Sequence, residues 1–423
     1  MRKWYSLIDK IYQPENLKRA FKRVKQNRGA PGIDGETVEN YNEELEENTK
    51  FLHEKLKTNT YEPSPVKRVE IEKPDGGTRK LGIPTVKDRV VQQAIVNVIS
   101  PIFDETFHPS SYGYRPGKSQ HMAVAKAEKF LNTYGLPYVV DMDLSKCFDT
   151  LDHDIILRTV SEKISDSKVL QLIAKFLKAG VMKDGAFSDT ERGSPQGGVI
   201  SPLISNIYLN AFDQKMMNKG IRIVRFADDI LIFAKDKANA GNYLAYARKI
   251  LEEELKLTIN EAKTTTTCVS KGVAFLGFVI FPKYVTVHAK RIKRFKDKIR
   301  KITKRNCGIP LRRVIPTLNR LLRGWMNYYR AANIKGFCSE MMGWIRRRLR
   351  MIRMKQWKTY KAMHKEMRRK GITGNGLKMD VNRWKNSNVH IIHMIMPNKY
   401  FEDMGLIDIT TYKVGVLSSF YEG

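Results

Sequence analysis

Charged and apolar residues alternate over residues 67–72, the pattern of a half-buried strand. The turn-forming run Lys73-Pro74-Asp75-Gly76-Gly77 follows, then a second strand-like stretch over 79–83, so the pair reads as a hairpin. Residues 86–99 and 168–177 carry helical spacing, and 138–144 reads as a buried strand rich in Val. Two β-rich runs, 221–226 and 230–234, flank Ala227-Asp228-Asp229 and predict a second hairpin. Residues 242–255 form an amphipathic helical pattern. A third hairpin is expected from 274–280 and 284–287, joined at Pro282-Lys283. Beyond it the pattern turns fully helical. Ile292, Phe295, Ile299 and Ile302 make one narrow apolar stripe. A second helix starts near Arg312 and ends in Arg323-Gly324-Trp325-Met326-Asn327-Tyr328-Tyr329-Arg330. A third sets Trp344, Ile345, Leu349 and Ile352 against Arg346, Arg347, Arg348, Arg350 and Arg353.

Charge changes the picture of those last helices. The 423-residue chain has a formal net charge of +32. Residues 290–370 hold 28 Lys or Arg against the three acids Asp297, Glu340 and Glu366, which is +25 of that total. A solvated helical face would intersperse acids with its bases. Their near absence points to a polyanion, and nucleic acid is the commonest one. An anionic membrane surface is the competing partner for basic helices. The expected organisation is an N-terminal extension over 1–60, a near-neutral α+β body over 61–289, a basic helical region over 290–372 and a small balanced tail over 373–423.

The four cysteines, Cys147, Cys268, Cys307 and Cys338, form no C-x-x-C pair, which argues against a zinc ribbon. They read as reduced thiols of a cytoplasmic protein. No apolar run approaches the ~18 residues of a membrane span, and the N-terminus lacks the apolar core of a signal peptide. No membrane partner is therefore expected.

Two acidic segments carry the candidate chemistry. Asp228 and Asp229 sit at a hairpin tip between apolar strands, although Asp pairs in turns are common. In Val139-Val140-Asp141-Met142-Asp143-Leu144-Ser145-Lys146-Cys147-Phe148-Asp149 an apolar strand ends in acids, and alternation puts Asp141 and Asp143 on one face. If that strand lies beside the hairpin, carboxylates converge and repel unless a cation neutralises them. Oxygen donors without His or Cys specify Mg²⁺. The plainer alternative is an acidic strand end that caps a helix.

Several ordered motifs carry a family resemblance. Asp143 with Phe148 five positions later, Ser194-Pro195-Gln196-Gly197-Gly198 and Phe226-Ala227-Asp228-Asp229 resemble the motifs of reverse transcriptases. Arg28-Gly29-Ala30-Pro31-Gly32-Ile33-Asp34-Gly35, Lys73-Pro74-Asp75-Gly76, Arg79, Asp88-Arg89-Val90-Val91-Gln92, Ser111-Tyr112-Gly113-Tyr114-Arg115-Pro116, Ile259-Asn260-Glu261-Ala262-Lys263-Thr264, Phe275-Leu276-Gly277 and Arg323-Gly324-Trp325 look like group II intron-encoded reverse transcriptase/maturases. The resemblance implies a right-hand polymerase fold of fingers and palm over 61–289, a helical thumb and maturase region over 290–372, and a small C-terminal domain over 373–423 that resembles the family's DNA-binding tail. It implies Asp143, Asp228 and Asp229 as ligands of two Mg²⁺ ions, with Asp141 as an orienting carboxylate. It makes Phe148 a steric gate against a 2′-hydroxyl. Lys73, Arg79, Gln196 and Lys263 would meet the incoming nucleotide, with Asn260 shaping the turn before Lys263. Arg346, Arg347, Arg348 and Arg350 would contact nucleic acid. The implied partners are intron RNA, a template RNA–primer DNA duplex, target DNA and dNTPs.

The sequence departs from that pattern in two places. Phe226 stands where Tyr is more usual, and no Cys/His nuclease module precedes Gly423, as in the endonuclease-lacking class C bacterial relatives. The expected function is RNA-directed DNA polymerisation with intron splicing and target-primed mobility. One rival is a splicing factor with a dead polymerase, against which the intact Asp set argues. The other is an RNA-dependent RNA polymerase, against which Phe148 argues.

Overall fold

The computed structural model describes residues 3–72, 76–183, 186–194, 197–372 and 379–421. The chain divides into two compact units, Met1–Cys268 and Val269–Gly423. The strands of the first are β1 (Val66–Glu72), β2 (Thr78–Ile83), β3 (Tyr138–Met142), β4 (Val181–Lys183), β5 (Ala186–Ser188), β6 (Arg222–Phe226), β7 (Asp229–Ala234) and β8 (Thr265–Cys268). β1 and β2 form the expected antiparallel hairpin in a sheet of order β2-β1-β4-β5. The other sheet, β6-β7-β3-β8, is antiparallel throughout.

The second sheet is the rigid platform of the unit. Val139, Val140, Ile223, Ile230, Leu231 and Ile232 are fully buried in it. The helix Ser201–Asn218 adds Ile204, Ile207, Tyr208 and Phe212 to the same core. Side-chain caps fix where the neighbouring helices begin. Thr85 caps Val86–Asp104, Asp152 caps His153–Ser161, and Asp166 caps Ser167–Lys178. Asp166 also accepts Leu7 N–H at 2.7 Å and Ile8 N–H at 2.9 Å, which ties the N-terminal segment to this unit.

Two elements depart from the sequence pattern. The helix expected over 242–255 starts earlier, as Lys237–Arg248, and continues as a π-helical turn, Lys249–Glu254. The run 274–280 is two strands, not one. In the second unit β9 (Val273–Phe275), β10 (Phe278–Ile280) and β11 (Val285–Val287) form a meander of order β11-β10-β9. Leu276 and Gly277, at φ 48° and 86°, make the tight turn between the first two. Gly277 was the single turn signal in an otherwise apolar run, and Leu276 before it reads as strand interior.

The helices Ala289–Ile302, Leu311–Tyr329, Lys335–Trp357 and Tyr360–Arg369 follow, and the shorter helices His390–Ile395 and Asn398–Glu402 lie beyond them. The apolar stripe of the first packs inward through Phe295 and Ile299. Trp325 stacks on Phe295 with ring centroids 4.4 Å apart, and Tyr329 packs against Trp325. These aromatics are core. Among the described residues no helix is long and apolar enough to cross a membrane.

Candidate active site

Two strand ends bring the acidic residues together. In the β3–β7 pairing Met142 faces Ile230, so one step further Asp143 lies opposite Asp229. In β6–β7, Phe226 pairs with Asp229 and leaves Ala227 and Asp228 as the two loop residues. Ala227 takes φ 59°, a left-handed conformation that a larger or branched side chain would adopt at greater cost. The segment around Gly113 lies directly against this loop. A Cβ on Gly113 would stand 2.3 Å from Ala227 N, so only glycine permits the approach.

The electrostatics are those of crowded carboxylates. Enclosure by protein, then the charges of Asp228, Asp141 and Asp143, push the Asp229 carboxyl up to about 7, although its side chain still opens to solvent. Burial and then Asp143 raise Asp141 to about 6. Burial also raises Asp228, with Asp143 adding to the rise and Arg79 and Arg225 opposing it. Asp143 has its own partners. Asn260 Nδ2 and Lys263 Nζ donate to its Oδ2 at 3.0 and 3.1 Å, and Asn260 N–H donates to its backbone carbonyl at 2.9 Å. Among the described residues no His, Cys, Asp and Glu side chains are drawn together into a ready set of three metal ligands. The donor chemistry fits hard divalent cations, because it is all carboxylate oxygen without His or Cys. Asp143 would have to share or exchange its Lys263 and Asn260 bonds to join such a set.

Asp143 and Asp228 open on a cleft of ≈ 1570 Å³ also lined by Phe148, Asn260 and Lys263 and, from β2, Arg79 and Lys80. Phe148 is buried in the short helix Cys147–Thr150, five residues past Asp143. Its carbonyl accepts Ser194 N–H at 2.7 Å, and Gly193 N–H donates to Leu151 O at 2.7 Å. The start of the Ser194–Gly198 segment is thereby clasped to the turn that carries Phe148. Its end is held by Gln92, whose Oε1 accepts Val199 N–H at 2.7 Å. Gly197, at φ 119°, approaches Gly82 of β2 so closely that a Cβ would meet Gly82 O at 2.3 Å. Of the expected nucleotide contacts, Arg79, Phe148 and Lys263 line this one cleft. Lys73 and Gln196 lie outside the described residues.

Arg346, Arg347, Arg348 and Arg350 of the Lys335–Trp357 helix do not form one open cationic face. Arg346 is buried and ion-paired to Asp408 at 2.7 Å and Glu402 at 3.5 Å. Arg350 is 2% exposed, donates to Met396 O at 2.9 Å, and stacks over Phe401. Arg348 donates to Thr303 Oγ1 at 2.6 Å and its carbonyl at 3.0 Å. Arg347 lies over the half-exposed Trp384 ring. The expectation of a shared nucleic-acid surface here is corrected for Arg346 and Arg350: a segment distant in sequence supplies their acids and carbonyls, so they hold the C-terminal segment in place. Exposed bases of this unit instead include Arg291, Lys293 and Arg294 on one helix, and Arg312, Arg313, Arg320 and Arg323 on the next.

Sequence reasoning passed over a third group, Asn206, Asp213 and Arg225, all buried beside the acidic loop. The available signal was chemical mismatch. Arg225 interrupts an apolar strand pattern, and Asp213 falls seven residues after Asn206 on one helix face.

Comparison with known proteins bears on the same segments. Residues 71–280 match the family model "Reverse transcriptase (RNA-dependent DNA polymerase)", and 292–371 match "Group II intron, maturase-specific domain". The chain is 34% identical over 316 residues to Protein YkfC of Escherichia coli (strain K12), covering 66% of this chain and 83% of that one. It is 28% identical over 337 residues to the Group II intron-encoded protein LtrA of Lactococcus lactis subsp. cremoris, covering 64% of this chain and 55% of that one. The chain thus spans about half the length of LtrA. Among solved structures, an apo telomerase from Candida tropicalis covers 53% of this chain and 55% of that one at a TM-score of 0.42 and 15% identity.

Proposed function

This chain belongs to the reverse transcriptases that carry a group II intron maturase domain, and from that premise we propose that it copies RNA into DNA at the Asp143–Asp228–Asp229 cluster and assists splicing of a group II intron RNA. The observation that carries the proposal is the meeting of two sequence-distant strand ends, with Asp143 opposite Asp229, at a cleft shared with Phe148 and Arg79. A right-hand polymerase fold places such a cluster on its palm, with β1 and β2 on the finger side.

Each group has a task in this reading. Asp143, Asp228 and Asp229 would hold two Mg²⁺ ions, whose chemistry when bound is to lower the pKa of a primer 3′-hydroxyl and to neutralise the leaving pyrophosphate. Phe148 fills the space beneath the sugar and excludes a 2′-hydroxyl. Arg79 and Lys263 neutralise triphosphate charge. Lys263 also pairs with Asp143 at 3.1 Å. The glycines Gly193 and Gly197 let the backbone between the Phe148 turn and β2 pass without side-chain bulk. The exposed arginines of the second unit give sequence-independent grip on phosphates. Binding of the chain's own intron, entry into target DNA and target-primed copying are further parts of the proposal.

The test is primer extension on an RNA template, with dNTPs and then rNTPs, by wild type and by Asp228→Asn. Extension by wild type with dNTPs alone, lost in the variant, is expected. Equal extension by the variant would remove the assignment of the site.

A further inference from the structure

Beneath the acidic loop lies a charged pair that the proposed chemistry does not use. The Arg225 and Asp213 side chains are both 0% exposed, and Arg225 Nη2 donates to Asp213 Oδ2 at 2.6 Å. Nε adds contacts to both carboxylate oxygens at 2.9 and 3.0 Å. The other terminal nitrogen reaches past the pair. Arg225 Nη1 donates to Asn206 Oδ1 at 3.0 Å and to Ala227 O at 3.0 Å. Asn206 in turn donates from Nδ2 to Gly113 O at 2.8 Å. The Arg225 backbone joins the same segment: its N–H donates to Ser110 O, and its carbonyl accepts Tyr112 N–H, each at 2.9 Å.

A buried ion pair is a poor device for stability alone, because desolvating two charges offsets most of their attraction. What this pair does geometrically is more specific. Asn206 and Asp213 lie two turns apart on one face of the Ser201–Asn218 helix. A single planar guanidinium ties that face to the carbonyl of Ala227, the residue next to Asp228. Through Asn206 the same tie reaches Gly113, whose missing Cβ lets its backbone lie against Ala227. The loop that presents two carboxylates is thus fixed from below by the helix and from the side by the 110–113 segment.

We propose that Arg225 is a positioning residue, which uses its buried pairing with Asp213 and Asn206 to fix the Ala227-Asp228 loop, and hence both hairpin carboxylates, relative to Asp143. This rests on the reading of Asp228 and Asp229 as the catalytic acids. Lysine cannot replace it, since a point charge on a flexible stem does not span the carboxylate, the amide and the loop carbonyl at once. A displacement of ~1 Å in reacting geometry can cost about 100-fold in rate while leaving substrate binding intact.

The experiment uses the full chain with an RNA template and DNA primer, and measures kcat, KM for dNTP, RNA affinity and thermal midpoint. The variants are Arg225→Lys, the apolar pair Arg225→Met with Asp213→Leu, and Asp228→Asn. The apolar pair removes both charges together, so no charge is left buried alone. Arg225→Lys keeps the charge balance and is scored per folded molecule. We expect kcat to fall about 100-fold in the apolar pair and about tenfold or more in Arg225→Lys. KM and RNA affinity should stay within about twofold, since neither binding surface is touched. Wild-type kcat in folded Arg225 variants, or a loss confined to KM, would overturn the positioning role. So would a kcat loss that only tracks the folded fraction. The control separates the two readings. Asp228→Asn inactive beside fully active Arg225 variants defeats the positioning role alone, whereas an active Asp228→Asn defeats the underlying assignment of the site.

Discussion

The acidic loop of the first unit and the basic helices of the second are both dense in charge, yet charge does different work in each. Around the loop, like charges are held together at an open cleft, and three carboxyls are raised by enclosure and by one another. Along the Lys335–Trp357 helix, unlike charges are taken into the interior, where Arg346 meets Asp408 and Arg350 meets backbone carbonyl and the Phe401 ring. Unsatisfied charge at a surface marks a site that wants a partner. Satisfied charge in an interior marks a joint between segments. Residue counts cannot tell the two apart, because they register charge and not its neighbours.

The strongest way to break this comparison is at the loop. Asp228→Asn or Asp229→Asn should lower DNA synthesis by about 1000-fold or more, because electrostatic stabilisation dominates phosphoryl transfer. RNA affinity, read by filter binding, should be unchanged. Near-wild-type extension would make the cluster an ordinary acidic turn.

A smaller effect is expected at the wall of the cleft. Phe148→Val should raise rNTP use relative to dNTP by about 10- to 100-fold, the range of discrimination that one apolar contact supplies. The ratio of the two kcat/KM values is the measurement. No change in it would reduce Phe148 to core packing.

The second unit offers the converse test. Arg350→Glu and Arg346→Glu should each destabilise by about 3–5 kcal/mol, the usual cost of breaking a buried charged contact. Denaturant melts would show it. Reversing the exposed Arg312, Arg313, Arg320 and Arg323 should leave the melt alone and flatten the salt dependence of RNA affinity, by about 0.7–0.9 in log–log slope for each phosphate that the protein no longer neutralises. If the two sets of variants behave alike, the division between joint and surface is wrong.

The smallest expected effect is in pH. Asp229 titrates at about 7 when folded, against ~4 when unfolded. Between those values the folded chain holds a proton that the unfolded chain has released. Metal-free stability from this group therefore falls as pH rises through that window, the reverse of a salt-bridged carboxylate. Mg²⁺ binding competes with that proton, so the rise in thermal midpoint on adding Mg²⁺ should be larger at pH 8 than at pH 6. Equal shifts at both pH values would mean that Mg²⁺ does not meet this carboxyl.

Much of the site was legible without coordinates because its parts are local. Strand alternation, a two-residue hairpin loop and a five-residue step from Asp143 to Phe148 are short-range features that a linear sequence displays. The turn at Leu276-Gly277 was not legible, since its first residue looks like strand interior. Nor was the inward fate of Arg346 and Arg350, whose partners lie 46 to 62 residues further along the chain. By itself the sequence determined which residues bear charge, which strands carry the carboxylates and how those carboxylates are spaced. Only the tertiary structure decided that Asp143 faces Asp229, that Arg225 reaches the loop carbonyl of Ala227, and which arginines remain open to a ligand. The physical reason is that desolvation and pairing depend on the groups packed around a charge, and in this protein those groups come from other helices and loops, 2 to 19 residues from Arg225 and 46 to 62 residues from Arg350 and Arg346.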